Sequence, residues 1–195
     1  MVAGARLRHG ALLLCLIAVL TAPGDRTIGA ETESAGLSEY QIKAAYLYYF
    51  TTFVDWPPEA LPRSGDALVV GVLGQDPFGP VLDDTLRGKT VGNRPLIVKR
   101  FGSIRDAREC HLLFISASER DRLVSIFKGL EGAAILTVGE IEYFASRGGQ
   151  IAFRMESKKV RFDINVAAVE RARLKVSAQL MKLGRIVEGP GRQGV

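Results

Sequence analysis

Three short, nearly unbroken apolar runs set the tightest limit on what this chain can fold into. They are Ala67-Leu-Val-Val-Gly-Val-Leu73, His111-Leu-Leu-Phe-Ile115 and Ala134-Ile-Leu-Thr-Val138. A strand that is apolar on both faces needs cover on both, as strands do in a parallel sheet between two helical layers. The segments between them fit that architecture. Residues 78–86 read as a helix, 95–99 as a strand and 103–108 as a short helix; 118–130 read as a helix capped by Ser118, with Asp121 at the capping-box position. The alternation predicts one three-layer α/β domain with a mostly parallel, mixed sheet and helices on both faces. The last third differs. Residues 150–156 and 159–164 each alternate, and Ser157-Lys158 between them predicts an antiparallel C-terminal hairpin at the sheet edge. Asn165 can cap a final helical segment with Val176, Leu180, Leu183 and Val187 on one stripe and Lys175, Lys182 and Arg185 away from it.

The domain opens with a helix. Ser38 followed by Gln41 makes a capping box, and Pro57-Pro58 stops the element. Ile42, Ala45, Tyr46, Tyr49, Phe50 and Phe53 recur at helical steps, a packing face by periodicity. Seven of the fifteen aromatic residues fall between Tyr40 and Trp56, so this helix either fills a core or shows aromatics to a partner.

The first thirty residues stand apart. Arg6 and Arg8 precede the apolar run from Ala11 to Leu20, the pattern of a secretory signal peptide. The run is shorter than the roughly 20 residues a spanning helix needs, although an uncleaved anchor stays open as the alternative. Cleavage is expected after Ala30, with Ala22 as the other choice. The expected divisions are a signal peptide over 1–30, a polar lead-in over 31–37, one domain over 38–188 and a tail over 189–195. Loss of Arg6, Arg8, Arg26 and Asp25 with the signal lowers the formal net charge from +5 to +3, a mild balance that argues against nucleic acid. Cys15 leaves too, so Cys110 is an unpaired thiol, either buried or open to an intermolecular bond. With so few Cys and His, no metal site and no cofactor are expected.

No motif assembles a catalytic set. Gly74-Gln-Asp-Pro-Phe-Gly79 follows a strand, yet Pro80-Val81 stand where a phosphate loop needs Lys and Ser or Thr. A covalent hydrolase would have to work through His111 alone, and Cys110 beside it would point to the other face of a strand. Glu140 and Glu142 follow a strand end, where a helix start would favour acids. Ligands of open parallel sheets sit beyond the strand C-termini. That crevice would be lined by Gln75, Asp76, Phe78, Ser116, Ser118 and Glu140, with Gly139 beside them, groups suited to binding rather than catalysis.

Several segments together resemble the YfiR-like family of exported bacterial proteins. They are the opening helix from Tyr40 to Pro57, then Gly71-Val-Leu-Gly-Gln-Asp-Pro-Phe-Gly79, Cys110-His-Leu-Leu-Phe-Ile-Ser116, Gly148-Gly-Gln-Ile-Ala-Phe153, Val160-Arg-Phe-Asp-Ile-Asn165 and Ser177-Ala-Gln-Leu180. The resemblance implies a periplasmic, non-enzymatic protein that binds the periplasmic region of an inner-membrane diguanylate cyclase. Such binding represses the cyclase and lowers cyclic-di-GMP and biofilm formation. It also implies relief by an outer-membrane lipoprotein. Two departures stand out: family members often carry Asn and Lys where this chain has Tyr49 and Thr52, and the best-understood member has intramolecular disulfides that Cys110 cannot form. On this reading Lys43, Tyr48, Tyr49 and Thr52 are candidate partner contacts, the basic C-terminal residues are a second choice, and a homodimer is permitted. A small-ligand sensor using the strand-end crevice is the alternative.

Overall fold

The computed structural model describes residues 37–189. The expected signal peptide with its cleavage sites lies outside the described residues, as do all but Leu37 of the lead-in and all but Gly189 of the tail. In chain order the elements are α1 (Glu39–Phe53), β1 (Val54–Asp55), β2 (Leu68–Leu73), α2 (Pro80–Leu86), β3 (Thr90–Val91) and β4 (Arg94–Phe101). Then come α3 (Ile104–Ala107), β5 (Leu112–Ile115), α4 (Leu123–Gly129), β6 (Leu136–Gly139), β7 (Ile151–Glu156) and β8 (Lys159–Ile164). The chain closes through α5 (Val166–Arg171), β9 (Lys175–Val176), α6 (Ala178–Leu183) and β10 (Arg185–Ile186).

Eight strands form one mixed sheet in the order β10-β8-β7-β6-β5-β2-β4-β3, and β1 pairs with β9 in a separate two-stranded sheet. The pairs β4-β2, β2-β5, β5-β6, β6-β7 and β10-β8 are parallel, while β7-β8 and β3-β4 are antiparallel. Alternate residues of the central strands feed two cores. Leu68, Val70 and Val72 of β2 point with Phe114, Phe153 and Phe162 toward α1, α2, α5 and α6. Val69 and Leu73 join Leu113, Ile115 and Phe144 under α3, α4 and the turn after β6. This is the predicted three-layer α/β domain.

The α1 cap forms as expected: Gln41 N–H donates to Ser38 Oγ (3.3 Å) and Ser38 N–H donates to Gln41 Oε1 (2.7 Å). Its packing face is rotated from the expected one. Lys43, Ala44, Leu47, Phe50 and Thr51 are buried, Tyr46 and Phe53 are half-buried, and Tyr49 is exposed. Small Ala44 lets the helix approach the sheet, and Tyr46 lays its ring against Phe162 with centroids 5.3 Å apart.

Other expectations are corrected. Ser116, not Ser118, caps the segment after β5, because the Ser118 hydroxyl accepts a hydrogen bond from Gln75 N–H (3.0 Å). That segment opens as a 3-10 turn from Ala117 to Arg122, so Asp121 completes no capping box. The single final helix is instead α5, β9, α6 and β10. Arg173 takes a left-handed φ of 60°, while Arg173 N–H bonds Glu170 O and Leu174 N–H bonds Val169 O, a Schellman ending without glycine. Of the expected stripe only Leu180 is buried, and Leu183 is 67% exposed. Glu140 and Glu142 enter a run of turns rather than a helix.

The hairpin forms as predicted, with Ser157 and Lys158 both at positive φ (49° and 61°), the left-handed pair of a two-residue turn. It is not quite the edge, since β10 covers Asp163 and Ile164 of β8. Phe50 carries the α1 face, stacked on Phe153 (5.7 Å) and edge-on to Phe162 (5.1 Å). Phe50→Ala is therefore expected to lower unfolding free energy by about 3–5 kcal/mol in urea titration. A loss below about 1 kcal/mol would show that α1 is not anchored there.

Candidate docking surface and the strand-end crevice

The strand order reverses between β2 and β5, which places the expected crevice at the turns after these two strands. Its polar groups are engaged with one another. Asp76 Oδ1 accepts from Phe78 N–H (2.8 Å) and Oδ2 accepts from Arg100 Nε (3.0 Å). Arg100 also holds Asp83 and donates to Gly79 O (2.9 Å), closing the turn onto β4. The Arg100 hydrogen bonds keep the Asp83 carboxyl below its ordinary range. Gly74 sits at φ 87°, and a Cβ there would meet Ser118 Oγ at 2.5 Å, so only glycine lets the two loops approach this closely. Phe78 is buried edge-on between Phe114 (4.8 Å) and Tyr40 (5.4 Å). Ser116 is buried as a cap, whereas Gln75 and Ser118 meet each other.

Glu140 is taken by α1. Tyr40 Oη donates to Glu140 Oε1 (3.2 Å), and Lys43 Nζ donates to Glu140 and to Glu39. The Lys43 ammonium also lies 4.7 Å from the Tyr40 ring centroid. Burial pulls the Lys43 pKa down, but hydrogen bonds to Glu140 and Glu39 outweigh it and leave the group above its ordinary value. Desolvation, then the Glu140 charge, raises Tyr40. Lys43, a candidate partner contact by sequence, is thus 3% exposed and works inside the molecule. Glu119, which no motif singled out, is also buried beside Gly74, with Arg122 as its ion-pair partner (3.0 Å).

The remaining α1 candidates do share a surface. Tyr49 is 49% exposed, Thr52 is exposed one turn on, and the Tyr48 ring lies 5.7 Å from Tyr49. Lys89, from the turn before β3, places its ammonium 5.5 Å from the Tyr48 ring. Thr52 Oγ1 donates back to Tyr49 O (2.8 Å) on a helix whose inner side is buried. At the other end of the chain Lys175 and Lys182 are exposed, while Arg185 is held by Asp163 together with Arg154.

His111 and Cys110 belong to the framework. Val69 N–H donates to His111 Nδ1 (3.1 Å), and the His111 carbonyl accepts from Trp56 Nε1 (3.2 Å). Burial, with Arg94 nearby, holds this imidazole below its usual value. Cys110 is buried, its thiol donates to Ala107 O (2.9 Å), and burial pushes its pKa up to about 12, far from a reactive thiolate.

Two outcomes follow from this geometry. Lys43→Met leaves two carboxylates without their cation and should cost about 3 kcal/mol in denaturant unfolding. Pairing it with Glu140→Gln should recover part of that loss, whereas additive losses would mean the two are not coupled. As pH falls, unfolded His111 protonates near 6.5 before the folded imidazole does, so its stabilisation is complete above that value and declines beneath it. His111→Asn keeps an acceptor for Val69 N–H but cannot titrate. Its stability should fall less steeply than that of the parent between about pH 6.5 and 5; parallel profiles would remove His111 as a cause.

A family model described as YfiR/HmsC-like matches residues 40–185, from the first turn of α1 to the start of β10. No curated protein matches the chain.

Proposed function

The chain belongs to the YfiR/HmsC-like family, and from that premise we propose that it is a periplasmic regulator that docks on the extracytoplasmic region of an inner-membrane diguanylate cyclase. The family acts by regulation rather than catalysis and in the periplasm. Among the described residues no helix is long and apolar enough to cross a membrane, and the signal-like sequence of residues 1–30 supports export. Docking represses the cyclase, lowers cyclic-di-GMP and restrains biofilm formation; an outer-membrane lipoprotein that captures the regulator would reverse this.

The exposed aromatic surface of α1 is the observation that carries the docking site. Tyr49, Thr52 and Tyr48 stand together beside Lys89 on a helix locked from within by Lys43 and Phe50. Tyrosine on a rigid helix offers contact area at little cost in side-chain entropy, as interface anchors do. The strand-end crevice has less to offer a ligand, since Asp76, Ser118 and Glu140 already serve other residues.

Crosslinking from the native envelope, followed by mass spectrometry, tests the reading. Recovery of a membrane protein with a cytoplasmic cyclase domain is expected, and Tyr49→Ala should weaken that recovery about tenfold or more without changing the melting temperature. Deletion of the gene should raise cyclic-di-GMP. Unchanged cyclic-di-GMP with no membrane partner recovered would overturn the proposal.

A further inference from the structure

At the opposite end of the sheet, Leu136 and Thr137 of β6 precede its pairing with β7, which begins at Val138 and Ile151, and a pocket of about 450 Å³ opens between the C-terminal ends of α4 and α5. Its floor is apolar, built from Phe127, Leu130, Ile135 and Ala168. The polar groups are few. Arg147 and Arg171 line it, and neither has a carboxylate within ion-pair distance among the described residues. Glu131 is the one acid in the lining, so the two guanidiniums leave a positive balance.

Gln150 is the informative residue. Standing just before β7, it meets Thr137 of β6: Thr137 N–H donates to Gln150 Oε1 (2.8 Å) and Gln150 N–H donates to Thr137 Oγ1 (3.2 Å). The first of these bonds fixes which end of the amide is oxygen. Nε2 is then left without a protein partner among the described residues, on a side chain that is only 6% exposed and lines the pocket. Nε2 is not itself sealed from solvent, so it is hydrated where the side chain meets the pocket and is free to donate to a ligand there. Arg171 lies in the last turn of α5, where helix carbonyls favour a cation in any case; Gln150 and Arg147 stand outside any helix and have no such reason.

We propose that this pocket binds a small organic carboxylate with an apolar body. The guanidiniums of Arg147 and Arg171 take the carboxylate oxygens, Gln150 Nε2 donates a further hydrogen bond, and the hydrocarbon portion covers Phe127, Leu130 and Ile135. A volume of about 450 Å³ falls within the ordinary range of small-molecule sites. Bare phosphate or sulfate would satisfy the donors but leave the apolar floor wet, which favours an amphipathic acid.

The probe is 3-phenylpropionate, titrated into the purified protein by calorimetry and followed by chemical-shift mapping, with 3-phenylpropanamide as the uncharged control. Saturable binding that perturbs Phe127 and Gln150 and weakens with added salt is expected. The amide should bind about tenfold or more weakly, since a charge-assisted contact is lost. Gln150→Glu keeps the acceptor for Thr137 N–H and replaces the donor with a carboxylate, so it should also weaken binding about tenfold or more. Arg147→Gln with Arg171→Gln changes only exposed positions and decides the matter if Gln150→Glu fails to fold. Absence of saturable binding, equal affinity for acid and amide, or binding undiminished in the double arginine variant overturns the proposal.

Discussion

The central strands β2, β5 and β6 are buried on both faces, and everything else in the molecule answers to that condition. Apolar burial is worth roughly 25 cal/mol per Å², so a sheet with Val69 facing one way and Val70 the other holds together only between two covering layers. Helices α1, α2, α5 and α6 make one layer; α3, α4 and the turn after β6 make the second. Parallel neighbours in turn require long crossovers, and these leave loops at both ends of the sheet. At one end the loops close on each other through Gly74, Ser118 and Arg100. At the other, β6 begins ahead of its pairing with β7, and Gln150 joins Thr137 there.

The cover over the first end is held by charge as well as by apolar contact. Glu140 emerges directly after β6 and meets Tyr40 and Lys43 of α1. A buried ammonium is tolerable only with such partners, because an unpaired charge in that position would cost several kcal/mol. The pair sets the rotation of α1 about its axis. With Lys43, Ala44, Leu47 and Phe50 turned in, Tyr49 and Thr52 must turn out. The internal clamp and the proposed docking surface are therefore two sides of one helix, and the aromatic face offered to a partner is as rigid as the core behind it.

Much of this was legible in the chain. Ser38 with Gln41, the three apolar runs, Gly74 after the first of them, Ser157-Lys158 between alternating segments and Asn165 before a helix all act through local backbone chemistry, and all took the form predicted. The errors share a cause. Ser118 looked like a cap, but Gln75 N–H, distant in sequence, claimed its hydroxyl; Ser116 was free to cap instead. The end of α5 carries Arg173 rather than glycine, so no breaker marked it, and pairing of β9 with β1 took the chain that a longer helix would have used. Lys43 read as solvent-facing because its partner Glu140 lies 97 residues away.

What the sequence determined by itself was the layer architecture, the hairpin, the caps set by neighbouring residues and, through the order of its segments, the family. These follow from periodicity and from contacts within a few residues, where the competing states are few. Only the tertiary structure decided which face of α1 points inward, that the strand-end groups serve each other, and that Arg147, Arg171 and Gln150 converge on one pocket. Those outcomes depend on pairs far apart in the chain, and a hydroxyl, ammonium or amide bonds whichever partner the folded backbone brings within about 3 Å.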